Sequence, residues 1–488
     1  MSNQLTPQQL VAAPGSTPGA PVLDLDEIQG DVLIGLQKNF ERFVFFQIAD
    51  VAAFKVALRR KIAHRITNTL TVHAREHQLR DYKNQGGKTP LPLVGLNLGF
   101  TAAGIGKLLP GADLGDASFR VGAASVAPAL GDPVDGAEKL VNWKPEFVAN
   151  NIDGVFLITG GTQDAVDAEA KEVLDFVGAA LTTIFDQSGN VRPGLEKGHE
   201  HFGWLDGVSQ PGINGLTTPF PGQRLLDPGH FVFGYPGQAG PPPLDWMNNG
   251  SFMVFRRLNQ LVPEFDKFIL DAAVSLAMDP VLLGARIMGR WKSGAPLALT
   301  PSQDDTTLGG DPQQNNNFDF SDDQSQRRCP FAAHIRKTNP RTDLLPQDPN
   351  VDNRRFIRAG IPFGEEVSTP EQTANTTNQE RGLMFVCYQT SIVDQFEFVQ
   401  QKWANPTGFI FGKVHPDGSP VNTGQDPIIG QNNTAGENRA RSTDEPVPNY
   451  PTGNARSRLP IPTDFVVPTG GAYFFVPSIA ALANELSA

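Results

Sequence analysis

Asp206 is the single acid in HFGWLDGVSQPGI (201–213), set between Gly203 and Gly207 and beside Trp204 and Leu205. A carboxylate among side chains that prefer burial is costly unless it is paired, and burial by itself pushes its pKa up. The segment therefore predicts either a structural acid with hydrogen-bond partners or a pocket acid that moves protons. His334 comes later, in RRCPFAAHIRKTNPR, where Phe331, Ala332 and Ala333 deliver an imidazole ahead of a basic cluster. A neutral imidazole is a common axial ligand for haem iron, and nearby Arg and Lys can pair with propionates. Arg358, in RRFIRAGIPFG, can stabilise negative charge developing on an oxygen. Alone, each has an ordinary reading as a buried structural histidine or a surface arginine. Together, an acid, an imidazole and a cation are the parts needed to cleave a peroxide on haem.

Other candidates carry less. HAREH places His73 and His77 four apart on an expected helix, but its Glu is misplaced for an HExxH zinc site and no third ligand is near. A surface helix is the simpler reading. His199 and His201 flank Glu200, which suits a pocket mouth or a solvated turn. GIGKLLPG (104–111) lacks the spacing of a phosphate loop, and no GxSxG elbow is present.

These residues need a large scaffold. A chain of 488 residues exceeds one ordinary core, so two domains are expected. The 49 Gly and 41 Pro predict many turns, as in an α+β or β-rich protein. Forty basic against 52 acidic side chains give −12, which argues against a nucleic-acid binder. Cys329 and Cys387, the only two cysteines, exclude a disulfide framework but leave one bridge open. No apolar run is long enough for an ordinary membrane helix, and the N-terminus lacks the basic start and apolar stretch of a signal peptide. Sequons stand at Asn249, Asn375 and Asn432.

Strands are expected at 41–50, 93–101, 154–159, 251–258, 381–390 and 470–478, where β-branched and aromatic residues concentrate. Helical spacing predicts helices at 51–64, 162–185, 262–277 and 391–403. The pattern occurs twice, so two α+β domains of similar plan are expected, meeting near 215–245. A loose arm covers 1–21, one domain 22–215 with Asp206 near its end, and a second 216–488. Long polar loops are expected at 301–326 and 411–462.

GWLDG (203–207) also matches the GxxDG motif of the dye-decolourising peroxidases, haem enzymes of the dimeric α+β barrel superfamily. FDFSDDQSQRRCPFAAHIRKTNPR, FIRAGIPFGEE, RGLMFVCYQTSI, GGAYFFVPSI and DEIQGDVLIGL resemble the matching segments of the large, mostly fungal members, over about residues 24–480. The resemblance implies two ferredoxin-like domains with four-stranded antiparallel sheets, and haem b in the C-terminal half. It places the proximal iron ligand on His334, the distal pair on Asp206 and Arg358, and apolar distal-wall residues on Leu383 and Phe385. Arg341 corresponds to a propionate contact, and Asp464 is the carboxylate expected to orient His334. The implied reaction reduces hydrogen peroxide through a ferryl haem and then oxidises phenols, dyes and other aromatic donors. The family's tyrosine five residues after the distal arginine is Phe363 here, which puts that radical route in doubt. Trp403 aligns with an alternative surface tryptophan radical. A monomer or homodimer working outside the cell is implied, with the cytoplasm as the other option. The competing reading is a haem carrier or iron-releasing protein, which needs His334 but neither Asp206 nor Arg358.

Overall fold

The computed structural model describes residues 21–344, 351–414, 421, 423–431, 441–445 and 457–488. Nearly all of the expected N-terminal arm, the Asn432 sequon and much of the 411–462 loop lie outside them.

The N-terminal half contributes β1 (Phe40–Ile48), β2 (Val94–Phe100), β3 (Gly154–Gly160) and β4 (Leu181–Asn190). The C-terminal half contributes β5 (Ser251–Gln260), β6 (Ile357–Arg358), β7 (Ile361–Phe363), β8 (Gly382–Gln389) and β9 (Val466–Val476). They form one nine-stranded sheet in the order β4-β1-β3-β2-β9-β5-β8-β6, with β7 also on β8. Every pairing within it is antiparallel. Each half has the same strand order, last-first-third-second, with β6 and β7 together in the second place, which is the ferredoxin-like plan. The halves join at the single pair Phe100–Phe475. At the far edges, Gly189 of β4 lies so near Pro362 of β7 that a Cβ would sit 2.6 Å from the Pro362 carbonyl. The sheet thus curls into a barrel, and only glycine permits that closure.

Alternation along the strands sorts side chains between barrel interior and outer face. Inside, Phe45 meets Phe255 at 4.9 Å and Phe147 at 5.2 Å, both edge-on, an arrangement aromatic quadrupoles favour. Outside, Phe46 packs on Phe54 of α1 (Val51–Ala57) at 5.6 Å. The helices α2 (Thr69–Asn84), α3 (Gln163–Val177), α4 (Val262–Leu276) and α5 (Pro280–Met288) complete the main framework.

Two expectations change. The segment 162–185 is not one helix: α3 stops at Val177, Gly178 takes φ +50°, and β4 begins at Leu181. The β-branched Thr182, Thr183 and Ile184 prefer the pleated edge once the helix is broken. Residues 392–404 form two wide i→i+5 helical stretches rather than a regular helix. Cys329 and Cys387 are both free and buried.

Candidate active site

A cavity of about 1690 Å³, measured with its mouth, opens on the outer face of the C-terminal half-sheet. It gathers Asp206, His334, Arg341, Arg358, Leu383, Phe385 and Trp403. Residues up to about two hundred positions apart thus share one wall-to-wall space.

Asp206 is held by its loop. Glu200 accepts from the Phe202 and Trp204 amides, each at 2.9 Å, and its own amide donates to the Trp204 carbonyl. The Asp206 amide donates to Gly198, and Gly203 and Gly207 take φ +91° and +74°, the left-handed turns that made glycine necessary on both sides. Trp204 anchors the loop by donating from Nε1 to the Arg290 carbonyl at 2.8 Å. Asp206 Oδ1 accepts from Arg358 Nη1 at 2.8 Å and from the Gly207 amide at 2.6 Å. The Asp206 side chain is 37 % exposed to the cavity; desolvation by the cavity wall pushes its carboxyl up, but the Arg358 charge and these hydrogen bonds outweigh it, leaving the acid below the ordinary aspartate value. Asp206 is therefore both partnered and set in the cavity wall.

Arg358 is fixed from behind. Its β6 strand pairs with Cys387 of β8, its amide donates to Gln210 Oε1, and Gln210 Nε2 returns a bond to its carbonyl at 2.6 Å. Leu383 and Phe385 occupy alternate positions of β8 and face the cavity, whereas Met384, Val386 and Tyr388 are fully buried on the other side.

His334 opens the short helix α6 (His334–Thr338). Its Nδ1 is 2.8 Å from Asp426 Oδ2, so Nε2 is the nitrogen left for the cavity. The carboxylate is Asp426, not Asp464. Asp426 is buried, and its Oδ1 accepts from the Ile428 and Ile429 amides, an Asx turn that locks the carboxylate in place. The basic residues next to His334 also differ from expectation. Arg336 is completely buried between Asp323 and Asp343, and Lys337 donates to the carbonyls of Pro406, Phe409 and Gly424. They brace α6 and the Asp426 loop instead of facing a ligand. Burial pushes the Lys337 amine down to about 7.

The cations that do line the cavity are Arg290, Arg341, Arg354, Arg355 and Arg358. Arg341 donates to the Asn316 and Phe318 carbonyls, and its guanidinium lies 3.9 Å from the Phe318 ring centre. Burial, together with the charges of Arg290 and Arg355, pushes Arg341 down to about 9. Arg354, Arg355 and Arg358 pair with Asp394, Asp352 and Asp206, whereas Arg290 and Arg341 donate to neutral carbonyls, and those two buried charges side by side suit an anion. An imidazole backed by a carboxylate, apolar walls and an anion-seeking arginine cluster are the donor set that a haem with two propionates requires.

Trp403 is not on the surface. It is 4 % exposed, stacked on Phe409 at 5.5 Å and edge-on to Phe398 at 5.6 Å. Phe363 is also buried, under the Arg257 guanidinium at 4.3 Å. His201 is neither solvated nor at the mouth: its Nε2 lies 2.9 Å from the Phe363 carbonyl, and burial pushes the ring down to about 4. His73 and His77 sit side by side on α2, rings 4.9 Å apart, and among the described residues no three metal-type ligands cluster.

Comparison with known proteins agrees with this architecture. Residues 27–193 match the DyP dimeric alpha+beta barrel domain, and residues 239–409 match the C-terminal region of Dyp-type peroxidases. Peroxidase 2 of Mycetinis scorodonius is 43% identical over 99% of this chain and 91% of its own. The structure of an ancestral D-type dye-decolorizing peroxidase, 44% identical, superposes with a TM-score of 0.86 over 96% of this chain and all of that one. A dye-decolorizing peroxidase solved in complex with 2,6-dimethoxyphenol, 41% identical, gives 0.84 over the same shares. The fold is that of the dimeric α+β barrel peroxidases. The chain belongs to the dye-decolourising peroxidase family and is a haem peroxidase.

Proposed function

We propose that this protein binds haem b through His334 and uses Asp206 with Arg358 to reduce hydrogen peroxide, oxidising phenols and dyes in return. The observation that carries the reading is the Asp206–Arg358 pair at 2.8 Å in the same cavity as His334, which a mere haem carrier does not need. His334 Nε2 would ligate the iron, with Asp426 fixing the ring and raising its basicity. Arg341 would face the propionates. The bound haem would supply the redox centre that accepts the peroxide's oxidising equivalents.

The chain's own residues handle protons and charge. Two donors converge on Asp206 Oδ1, so Oδ2 is the oxygen that takes a proton from one peroxide oxygen and returns it to the other. Water then leaves. Arg358 holds the peroxide and stabilises the charge that builds as the O–O bond breaks. Leu383 and Phe385 keep bulk water from competing at that face. Aspartate is a weaker base than histidine, so the pair suits acidic operation.

Asp426→Asn should weaken haem uptake by about 10–100-fold, the usual cost of removing such a ring partner. Haem titration of the apoprotein measures it, and unaltered affinity would show that the carboxylate does not tune His334.

The haem-loaded protein should oxidise 2,6-dimethoxyphenol and an anthraquinone dye with peroxide. Trp403 on the cavity wall is an oxidisable indole that packs on Phe409, and Phe409 meets Phe411, which is 66 % exposed, so two rings separate the indole from solvent. Trp403→Phe should therefore depress turnover of the bulky dye and spare the small phenol. Equal dye rates would reduce Trp403 to packing, and failure of both substrates with the native protein would refute the proposed activity.

A further inference from the structure

Tyr473 of β9 stands behind the cavity, 2 % exposed. Its hydroxyl donates to Glu397 Oε1 at 2.9 Å, and Glu397 Oε2 accepts from Ser118 Oγ at 2.8 Å. Glu397 directly follows Phe396, whose ring lies 6.5 Å from Tyr473 and 6.0 Å from Phe385. Phe396 and Phe385 both line the cavity. A redox-inert phenyl wall thus separates the cavity from a phenol that already has a proton acceptor.

We propose that Tyr473 and Glu397 form a buried redox pair that takes one oxidising equivalent from the peroxide-treated cavity when no donor is bound. The inference rests on the peroxidase reading above. In the step, Tyr473 loses one electron to the oxidised haem, which is reduced by one equivalent. The phenolic proton crosses the existing hydrogen bond to Glu397 Oε1, leaving a neutral phenoxyl radical and a carboxylic acid. A phenol of ordinary pKa about 10 cannot give up its electron cheaply at neutral pH unless its proton leaves too, which makes the carboxylate essential. Burial pushes the Glu397 carboxyl up against the pull of its two hydrogen bonds, so once ionised it is a better base than a surface glutamate. An aromatic donor that later reaches the cavity returns the electron, and the proton goes back from Glu397.

Tyr388 is the contrasting case. It too has a carboxylate on its hydroxyl, Asp31 at 2.7 Å, but it alternates with Phe385 on β8 and faces the barrel interior. Its place away from the cavity makes it the control.

The test is rapid-freeze electron paramagnetic resonance of the holoprotein mixed with hydrogen peroxide and no donor, with ring-deuterated tyrosine to identify the radical. Native protein and Tyr388→Phe should give a tyrosyl signal. Tyr473→Phe should lose it, and so should Glu397→Gln, which keeps the phenol but removes its base. Incorporation of 3-fluorotyrosine at 473 should change the hyperfine pattern, which covers the case of a variant that fails to fold. An unaltered tyrosyl signal in Tyr473→Phe or Glu397→Gln, an unaltered pattern with the fluorinated ring, or no tyrosyl signal in the native protein overturns the pair. If the haem absorption of native protein does not respond to peroxide at all, the peroxidase reading falls with it.

Discussion

Arg358→Leu should leave haem in place and slow the reaction with hydrogen peroxide by at least about 10²–10³-fold, the usual cost of one electrostatic stabiliser. The arginine does two jobs in the geometry. Its Nη1 sits 2.8 Å from Asp206 Oδ1, and its charge helps to hold the acid below the ordinary aspartate value. Removal leaves the burial penalty less opposed, so the Asp206 pKa rises. A base works only when ionised, hence the rate of the native protein should hold as pH falls through the ordinary carboxylate range. In Arg358→Leu the acid limb should move to higher pH. Asp206→Asn loses the base itself, costs about 10²–10⁴-fold, and should show no such limb. Stopped-flow mixing with peroxide across pH separates the cases. Native-like rates and profiles in both variants would remove Asp206 and Arg358 from the chemistry.

His334→Ala should abolish haem retention almost completely. The apolar walls and arginines would still attract a porphyrin, but iron would have no proximal nitrogen. Asp426 would then be buried without the ring it holds, and its Asx turn through Ile428 and Ile429 would be its remaining tie. A buried carboxylate that loses one of its partners is costly, so the loop should loosen as well. Absorbance after purification and haem titration reads the loss. A variant with full haem content and a native spectrum would place the iron ligand elsewhere.

That Asp206, His334 and Arg358 share one cavity was legible in the sequence from their residue types taken together and from the family resemblance. Asp206 lies between two glycines that need positive φ and His334 follows an apolar tripeptide, whereas Leu383 and Phe385 are marked out on their strand only through the resemblance. What failed was non-local. Asp426 lies in a Gly/Pro-rich stretch that reads as loop, and nothing local says that its second oxygen reaches a histidine 92 residues away. The DPII run was the available signal, an acid placed to cap two apolar amides. Arg336 and Lys337 looked like ligand-facing cations because sequence cannot tell a buried brace from a pocket charge. Trp403 aligned with a surface tryptophan of the family, but here the wide turns of 392–404 set it inward against Phe409, the core placement that its residue type also allowed. The strand β4 was lost inside a helical pattern because Gly178, its true boundary, was read as part of the helix. The curled sheet, with its single pair joining the halves and a glycine closing its edges, is a long-range property that no window reveals.

The most direct measurement of the central claim is the absorption spectrum of the purified holoprotein before and after one equivalent of hydrogen peroxide, native beside Asp206→Asn. The account predicts a ferric-haem Soret band in both, a rapid change on peroxide in the native protein, and a change slowed by about 10²–10⁴-fold in the variant. A haem spectrum that peroxide does not alter, or one that alters equally fast without the Asp206 carboxylate, would contradict it.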